Sequence, residues 1–480
     1  MDVKNKVIKG LFWRFLERCG AQGVTFIVSI VLARLLAPEL YGTIALVTVF
    51  ISILQIFVDS GMANALIQKK DADDLDFSSV FYFNVVLCLV LYGVMYVCSP
   101  LIAAFYKNTE LTWVVRVMSL TIVISGVKNV QQAYVSKNML FKKFFFSTLG
   151  GTVFSAFVGI VMAYKGFGVW AIVMQNLSNT LIDTIVLWFT VRWKPKWIFS
   201  FSRLKSLISY GWKLLVAALI DTGYTNVRQL IIGRIYSPAD LGLYNRGKQL
   251  PYTIITNVNA TIDSVIFPAM SSEQDSKERV KAMARRGIRI SSYVMWPLTL
   301  GMSFVAPTMI HILLTDKWIG CVPYLRIFCV TYSFYPIHTA NLNAIKAMGR
   351  SDLFLKLEII KKIVGVILLV ITVPFGVMAM AYSLLVANVC NQIINSWPNK
   401  KLLGYKYVEQ LKDVMPALLL SMVMGIIIWP IGLLKMHPIA QLTIQVMVGG
   451  CVYIMGSKLL KFESYQYLVD IIIKRRKSDE

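Results

Sequence analysis

Charge is what this chain has least of. Only 15% of its 480 residues are charged, while 57% are hydrophobic, against about 25% charged in an ordinary soluble domain. So apolar a chain cannot clothe itself in polar surface, which excludes a freely soluble globular protein. Histidine is nearly absent, and His311, His338 and His437 stand at no metal-ligand spacing. The seven cysteines (Cys19, Cys88, Cys98, Cys321, Cys329, Cys390, Cys451) contain no CxxC pair and lie in apolar stretches. They read as small core residues rather than disulfides or metal ligands. No GxxxxGK[ST] phosphate loop occurs, and the glycines are scattered as helix-packing residues. No cofactor or metal is expected.

Long polar segments are missing too. The longest link between apolar runs, from about Pro268 to Arg286, is too small to house an active-site domain. An enzyme with its own catalytic domain is therefore excluded, and any function must sit among the helices.

What is present is hydrophobicity, with a mean hydropathy of +0.63. A membrane-spanning helix needs roughly 20 mostly apolar residues, and about fourteen such windows follow one another. They fall near 9–33, 40–60, 80–104, 112–134, 144–165, 167–191, 208–232, 246–268, 287–313, 322–345, 355–373, 375–397, 413–434 and 438–460. The opening MDVKNKVIKG has the basic start of a signal peptide, but Arg14, Glu17 and Arg18 interrupt the apolar run and no cleavage site follows, so a retained first helix is expected. The fold class is thus all-α, a polytopic membrane helical bundle.

The formal charge of +24 sits in alternate connections: Lys142 and Lys143, Arg192 to Lys205, Lys277 to Arg289, Lys346 to Lys362, Lys400 to Lys412, and the terminal KRRKSDE. Such alternation is the signature of membrane insertion, and it places these segments and both termini in the cytoplasm. Contact with anionic membrane lipids accounts for the charge, so nucleic acid is not the expected partner.

The chain also repeats itself at an offset of roughly 200 residues. RLLAPELYG from Arg34 lines up with RIYSPADLG from Arg234, DSGMANALI from Asp59 with DSVIFPAMS from Asp263, and GFGVWAI from Gly166 with PFGVMAM from Pro374. Two parallel six-helix repeats are expected, a lobe over 1–200 and a lobe over 201–403. Two further helices and a basic tail would occupy 404–480. Repeats with an even number of spans enter the membrane with the same polarity, which puts a substrate path at the repeat interface.

Charges inside apolar windows are costly and normally face a cavity or a partner. In the first span Arg14, Glu17, Arg18, Gln22, Thr25 and Ser29 recur at helical steps. Lys213, Asp221, Thr225 and Arg228 do so in the first span of the second half, and Arg246, Gln249, Thr253, Asn257 and Asp263 in the span after it. Lys128, Asp183, Arg116 and Arg326 are further charges in or near spans. Residues near span ends, Lys128 among them, can equally snorkel to the headgroups, and Glu17 can neutralise Arg18 or Arg14.

With VLARLLAPELYGTIAL, VDSGMANALIQ and YNRGKQLPYTI in view, the whole chain resembles the oligosaccharide flippases of the polysaccharide-export (Wzx-like) branch of the multidrug/oligosaccharidyl-lipid/polysaccharide exporter superfamily. That resemblance implies a MATE-like arrangement in a bacterial inner membrane. It also implies alternating access and a cargo of undecaprenyl-pyrophosphate-linked oligosaccharide for polysaccharide biosynthesis, lipopolysaccharide and exopolysaccharide included, with a polymerase and glycosyltransferases as neighbours. By the same resemblance Arg18, Lys213 and Arg228 are candidate cavity cations for the pyrophosphate. Glu17, Asp221, Asp59 and Asp263 are candidate coupling or supporting residues. A drug or cation antiporter of the same superfamily, which would favour acidic cavity residues, and a membrane-embedded polysaccharide polymerase or ligase, which would bring a long outer loop, remain as alternatives.

Overall fold

The computed structural model describes residues 3–59, 62–69 and 71–478, with the side chains of Arg14 and Lys213 outside the described residues. Among the described residues there is no strand. The helices are α1 (Val3–Leu35), α2 (Pro38–Asp59), α3 (Met62–Gln68), α4 (Asp74–Phe105), α5 (Leu111–Lys137), α6 (Phe141–Tyr164), α7 (Val169–Thr190) and α8 (Phe201–Ile235). They continue as α9 (Pro238–Ser272), α10 (Lys277–Leu314), α11 (Val322–Ser333), α12 (Tyr335–Ala347), α13 (Ser351–Thr372), α14 (Val377–Leu402), α15 (Tyr407–Ile428), α16 (Pro438–Leu459) and α17 (Glu463–Ser478).

Each apolar window read from the sequence is occupied by helix. The window over 322–345 is split into α11 and α12, because Pro336 in the first turn of α12 has no N–H to continue the ladder. Among the described residues, nine helices are long and apolar enough to cross a membrane: α1, α2, α4, α5, α6, α10, α14, α15 and α16. The other windows carry the polar side chains already singled out, such as Asp183 in α7, Asp221 and Arg228 in α8, and Arg246 and Asp263 in α9. The 268–286 stretch, expected as the longest link, is mostly helix: α9 runs to Ser272 and α10 starts at Lys277. Ser276 caps α10 by accepting from the Arg279 N–H.

Lipid-facing stripes are plain on α4. Val86, Val90, Val94, Val97 and Leu101 are 52–72% exposed at three- and four-residue steps, while Cys88, Met95, Ser99 and Ala103 on the other face are buried. An apolar face without a protein partner suits hydrocarbon, where helix contacts are made by small and polar residues instead. Of the cysteines, Cys88, Cys321 and Cys329 are buried as expected of core residues. Cys19 and Cys451 are exposed, which corrects that reading for them.

By internal contacts the chain forms two compact units, Met1–Gly242 and Leu243–Glu480. In the first, α6 packs on α1 and α7, α5 on α4 and α7, and α8 on α2, α3 and α4. Its core has two parts, one around Val28, Val47, Val114 and Ile122, the other around Leu66, Phe77, Trp193 and Leu204. A capping box starts α4: Asp73 accepts from the Asp76 N–H at 3.0 Å, and Asp76 from the Asp73 N–H at 3.2 Å. That backbone hydrogen bond holds the Asp73 carboxyl below the usual carboxylate range. Asp76 is fully buried, and Lys69 at 2.6 Å and Arg203 at 3.3 Å neutralise it. In the second unit α10 packs against α11, α12, α15 and α16 around Trp296, Ile337, Ala344 and Tyr405.

The duplicated motifs mark backbone-critical points. Gly168 (φ +54°) and Gly376 (φ +99°), equivalent in the two copies, each begin a helix, α7 and α14, at a positive φ that strongly favours glycine. Within the first unit, the two copies of the Pro-x-x-x-Gly motif meet each other. A Cβ on Gly42 would lie 1.7 Å from the carbonyl oxygen of Pro238, and one on Gly242 would lie 2.1 Å from that of Pro38. Only glycine lets the starts of α2 and α9 approach so closely. Gly42→Ala is expected to cost on the order of 1–3 kcal/mol or more through overpacking. Gly93→Ala, where a Cβ would meet nothing within 4 Å, should be neutral or mildly stabilising. Thermal unfolding of the two purified variants, compared with the parent, checks this; an unchanged midpoint for Gly42→Ala would refute the close approach.

Candidate functional site

In the first unit the polar residues of the apolar helices fall into three groups. Glu17 on α1 is buried, and its carboxylate accepts from Thr148 Oγ1 on α6 at 3.3 Å. Arg18, the next residue, is exposed. Farther along α1, Thr25 and Ser29 line a cavity of about 200 Å³ with Tyr41 of α2, Thr152 and Ser155 of α6, and Asn176 of α7. This lining is all hydroxyl and carboxamide in its polar part, chemistry that exchanges hydrogen bonds with either partner sign.

The second group is an ion pair. Lys128 Nζ on α5 lies 2.9 Å from Asp183 Oδ2 on α7, with the two side chains 15% and 11% exposed. Snorkelling to the headgroups is therefore not what Lys128 does; it neutralises a carboxylate on the neighbouring helix. The third group ties Asp59, at the end of α2, to Asn129 of α5, whose Nδ2 donates to the Asp59 carboxylate at 3.0 Å and to the Val58 carbonyl at 3.0 Å. Gln55 also donates to Asp59, at 3.3 Å.

The second unit repeats that last arrangement. Asp263 on α9 accepts from Nδ2 of Asn343 on α12, and a turn earlier Thr339 donates to Asn259 at 2.8 Å. The two aspartates come from matched positions of the internal repeat, so an Asp–Asn bond between helices is built into both copies. The sequence pointed to the aspartates but not to their asparagines, which lie 70 and 80 residues away.

Deeper in this unit, Asn341 donates to Gln410 at 2.7 Å, Asn399 to Asn341 at 2.6 Å and Ser396 to Gln410 at 2.9 Å. His338 bonds Asn388 at 3.0 Å and Asn395 at 2.9 Å. These bonds join α12, α14 and α15 in place of the hydrophobic driving force that lipid removes.

Of the remaining sequence candidates, Asp221 is exposed and Arg228 buried, both on α8, while the Lys213 side chain lies outside the described residues. Arg18 is carried by α1, which packs on α6, and Arg228 by α8, which packs on α2, α3 and α4.

A family model described as "Polysaccharide biosynthesis protein" matches residues 31–323. The chain belongs to that polysaccharide biosynthesis family. Among curated relatives it is 25% identical over 412 residues to the teichuronic acid biosynthesis protein TuaB of Bacillus subtilis, covering 83% of this chain and 84% of the relative. It is 22% identical to the lipopolysaccharide biosynthesis protein WzxC of Escherichia coli, with 89% of each chain covered. It is 20% identical to the succinoglycan biosynthesis transport protein ExoT of Rhizobium meliloti, covering 98% of this chain and 96% of that one. Among solved structures, the lipid II flippase MurJ in an inward closed conformation superposes with a TM-score of 0.76 at 14% identity, over 96% of this chain and all of that one. An inward-facing multidrug resistance MATE family transporter of the MOP superfamily gives 0.61 at 16% identity, over 82% of this chain and 94% of the other. The fold is therefore the one the sequence resemblance implied.

For this member of the family, the ion pair gives a direct test of which polar groups hold the helices together. Asp183→Asn leaves the Lys128 ammonium buried without a counter-charge and should cost about 3–5 kcal/mol, whereas the double variant Lys128→Met/Asp183→Leu should be close to neutral. Unfolding of the detergent-solubilised protein reads both. Equal losses for the single and double variants would show that the pair is not what neutralises Lys128.

Proposed function

We propose that this chain is a flippase that carries lipid-linked oligosaccharide units across a bacterial inner membrane by alternating access, in service of polysaccharide biosynthesis. The observation that carries the reading is the polysaccharide-family match over residues 31–323 on a fold shared with a lipid II flippase. ExoT, a succinoglycan biosynthesis transport protein, aligns along almost the whole chain.

The chemistry of such a cargo fits the side chains. A pyrophosphate cannot cross hydrocarbon without partners, and cations in a wet cavity offset its charge. Arg18, Lys213 and Arg228 are the residues proposed for this, and the neutral cleft at Thr25, Ser29, Thr152 and Asn176 offers hydroxyl and amide groups of the kind a sugar bonds. A cell interior negative by 100 mV favours outward movement of each negative charge by about 2.3 kcal/mol, so export needs no nucleotide hydrolysis. Glu17, Asp59, Asp221 and Asp263 take supporting or ion-coupling parts. Glycosyltransferases that load the lipid and a polymerase that consumes the exported unit are the proposed neighbours.

The repeat halves 1–200 and 201–403, with 404–480 appended, are proposed as the evolutionary units. Gly168 and Gly376 in equivalent helix starts support this, as do the paired Asp–Asn bonds. Both termini and the Ser276 cap are placed in the cytoplasm on the distribution of basic residues. A cysteine substituted for Ser276 should then resist an impermeant thiol reagent in intact cells and react after the cells are opened. Labelling from outside would reverse the topology.

The site itself is tested with Arg18→Ala, Lys213→Ala and Arg228→Ala, each made singly in a strain that lacks its own exporter for the cognate glycan. Export should fall on the order of tenfold or more at matched membrane abundance, as expected for a lost charge-assisted contact. Arg→Lys should rescue it only in part, because lysine lacks the planar fork. A variant that loses abundance instead points to a structural pair; normal export from all three sinks the cavity assignment.

A further inference from the structure

Outside the residues proposed for transport, one junction of the second unit combines surplus positive charge with an apolar trough. It lies where α10, α15, α16 and α17 pack together. Among the described residues two carboxylates line the pocket at this junction, and both are already engaged. Asp413 accepts from Arg285 at 2.8 Å, from Arg289 at 2.8 Å and from Tyr405 at 2.7 Å, and Glu463 pairs with Arg289. Arg286 stacks its guanidinium 3.8 Å above the Tyr467 ring. The arginines are thus fixed in place by their partners.

The lysines are not. Lys412 and Lys461 line, with Arg289, a pocket of about 290 Å³, and neither has an ion-pair partner among the described residues. The pocket shares Lys412, Pro416, Leu460 and Phe462 with a second, largely apolar trough of about 480 Å³ that continues over Met415, Leu419 and Val423. Those last three side chains are 41%, 53% and 48% exposed. From Lys412 to Val423 the trough follows roughly 16 Å of α15 at 1.5 Å per residue.

We propose that this junction is a binding site for one anionic phospholipid, its phosphodiester held by Lys412 and Lys461 and an acyl chain laid along Met415, Leu419 and Val423. The charge asks for an anion and the trough for a chain, and the two share a wall. A free phosphate would use only the first half of the site, and a zwitterionic lipid would bring its own cation against the unpaired lysines. The bound lipid would join α15, α16 and α17, whatever cargo the protein carries.

Delipidated full-length protein in detergent, titrated with phosphatidylglycerol, phosphatidylcholine or inorganic phosphate, tests this by native mass spectrometry and thermal unfolding. The parent should retain phosphatidylglycerol and gain stability from it, and do so less with phosphatidylcholine. The preference should shrink by about fivefold for each lysine removed in Lys412→Gln and Lys461→Gly. Lys461 sits at φ +52°, so glycine there removes the charge while relieving the backbone, and a fall in binding cannot be blamed on misfolding. Leu419→Ser/Val423→Ser should weaken lipid binding and keep the headgroup preference. Equal response to the two lipids, an undiminished preference in both lysine variants, or inorganic phosphate reproducing the whole stabilisation would each overturn the proposal.

Discussion

Inside hydrocarbon nothing but the protein itself can answer a hydrogen-bonding group or a charge, and the polar contacts of this structure follow from that. Lys128 finds Asp183 on another helix, Asp59 and Asp263 each find an asparagine, and Asn341, Ser396, Asn399 and Gln410 satisfy one another across α12, α14 and α15. Apolar contact cannot drive helices together when the solvent is as apolar as leucine, so these bonds and the close approaches at glycine carry the specificity of packing. Isolated long apolar faces, as on α4, then serve only to meet lipid.

The internal duplication gains a physical meaning from the same constraint. What the copies retain is not general hydrophobicity, which almost any residue in a long apolar window supplies. They retain points with a single solution. Gly168 and Gly376 open helices at positive φ, and Gly42 and Gly242 stand where a methyl group would enter a carbonyl. The two aspartates keep a cross-helix amide. At such points substitution carries a steric or desolvation penalty, whereas the leucines and valines between them exchange at little cost.

That difference also explains what could be read from the chain alone. Helix positions were legible because span length and hydropathy are local properties, and each expected window holds a helix. The division of α11 from α12 was also written locally, in Pro336, though a window-based reading passes over it. The Pro268 to Arg286 segment was misread as a link because its charge signals exposure, while the Ser276 cap and the pairing of Lys281 with Glu409 and of Arg285 with Asp413 on α15 let α10 run beyond the apolar window. Partners were not legible. Thr148 for Glu17, Asn129 for Asp59 and Asp183 for Lys128 lie 131, 70 and 55 residues away, and only tertiary packing brings them together.

The distinction between paired and exposed charges bears on which residues are available to a moving anion. A cation already neutralised at 2.9 Å, as Lys128 is, would have to leave a buried carboxylate uncompensated before it could take hold of a phosphate, and that exchange is expensive in a low dielectric. Glu17, turned into the α6 contact through Thr148, is similarly committed, while its neighbour Arg18 is exposed. A carrier must also let its cargo go. Cations that are reachable and hydrated bind an anion with an energy that can be given back, whereas dry and fully paired ones act as fixed structure. Paired groups such as Lys128 and Glu17 thus close bonds between helices, whereas an exposed cation such as Arg18 stands open to a transient, charged ligand.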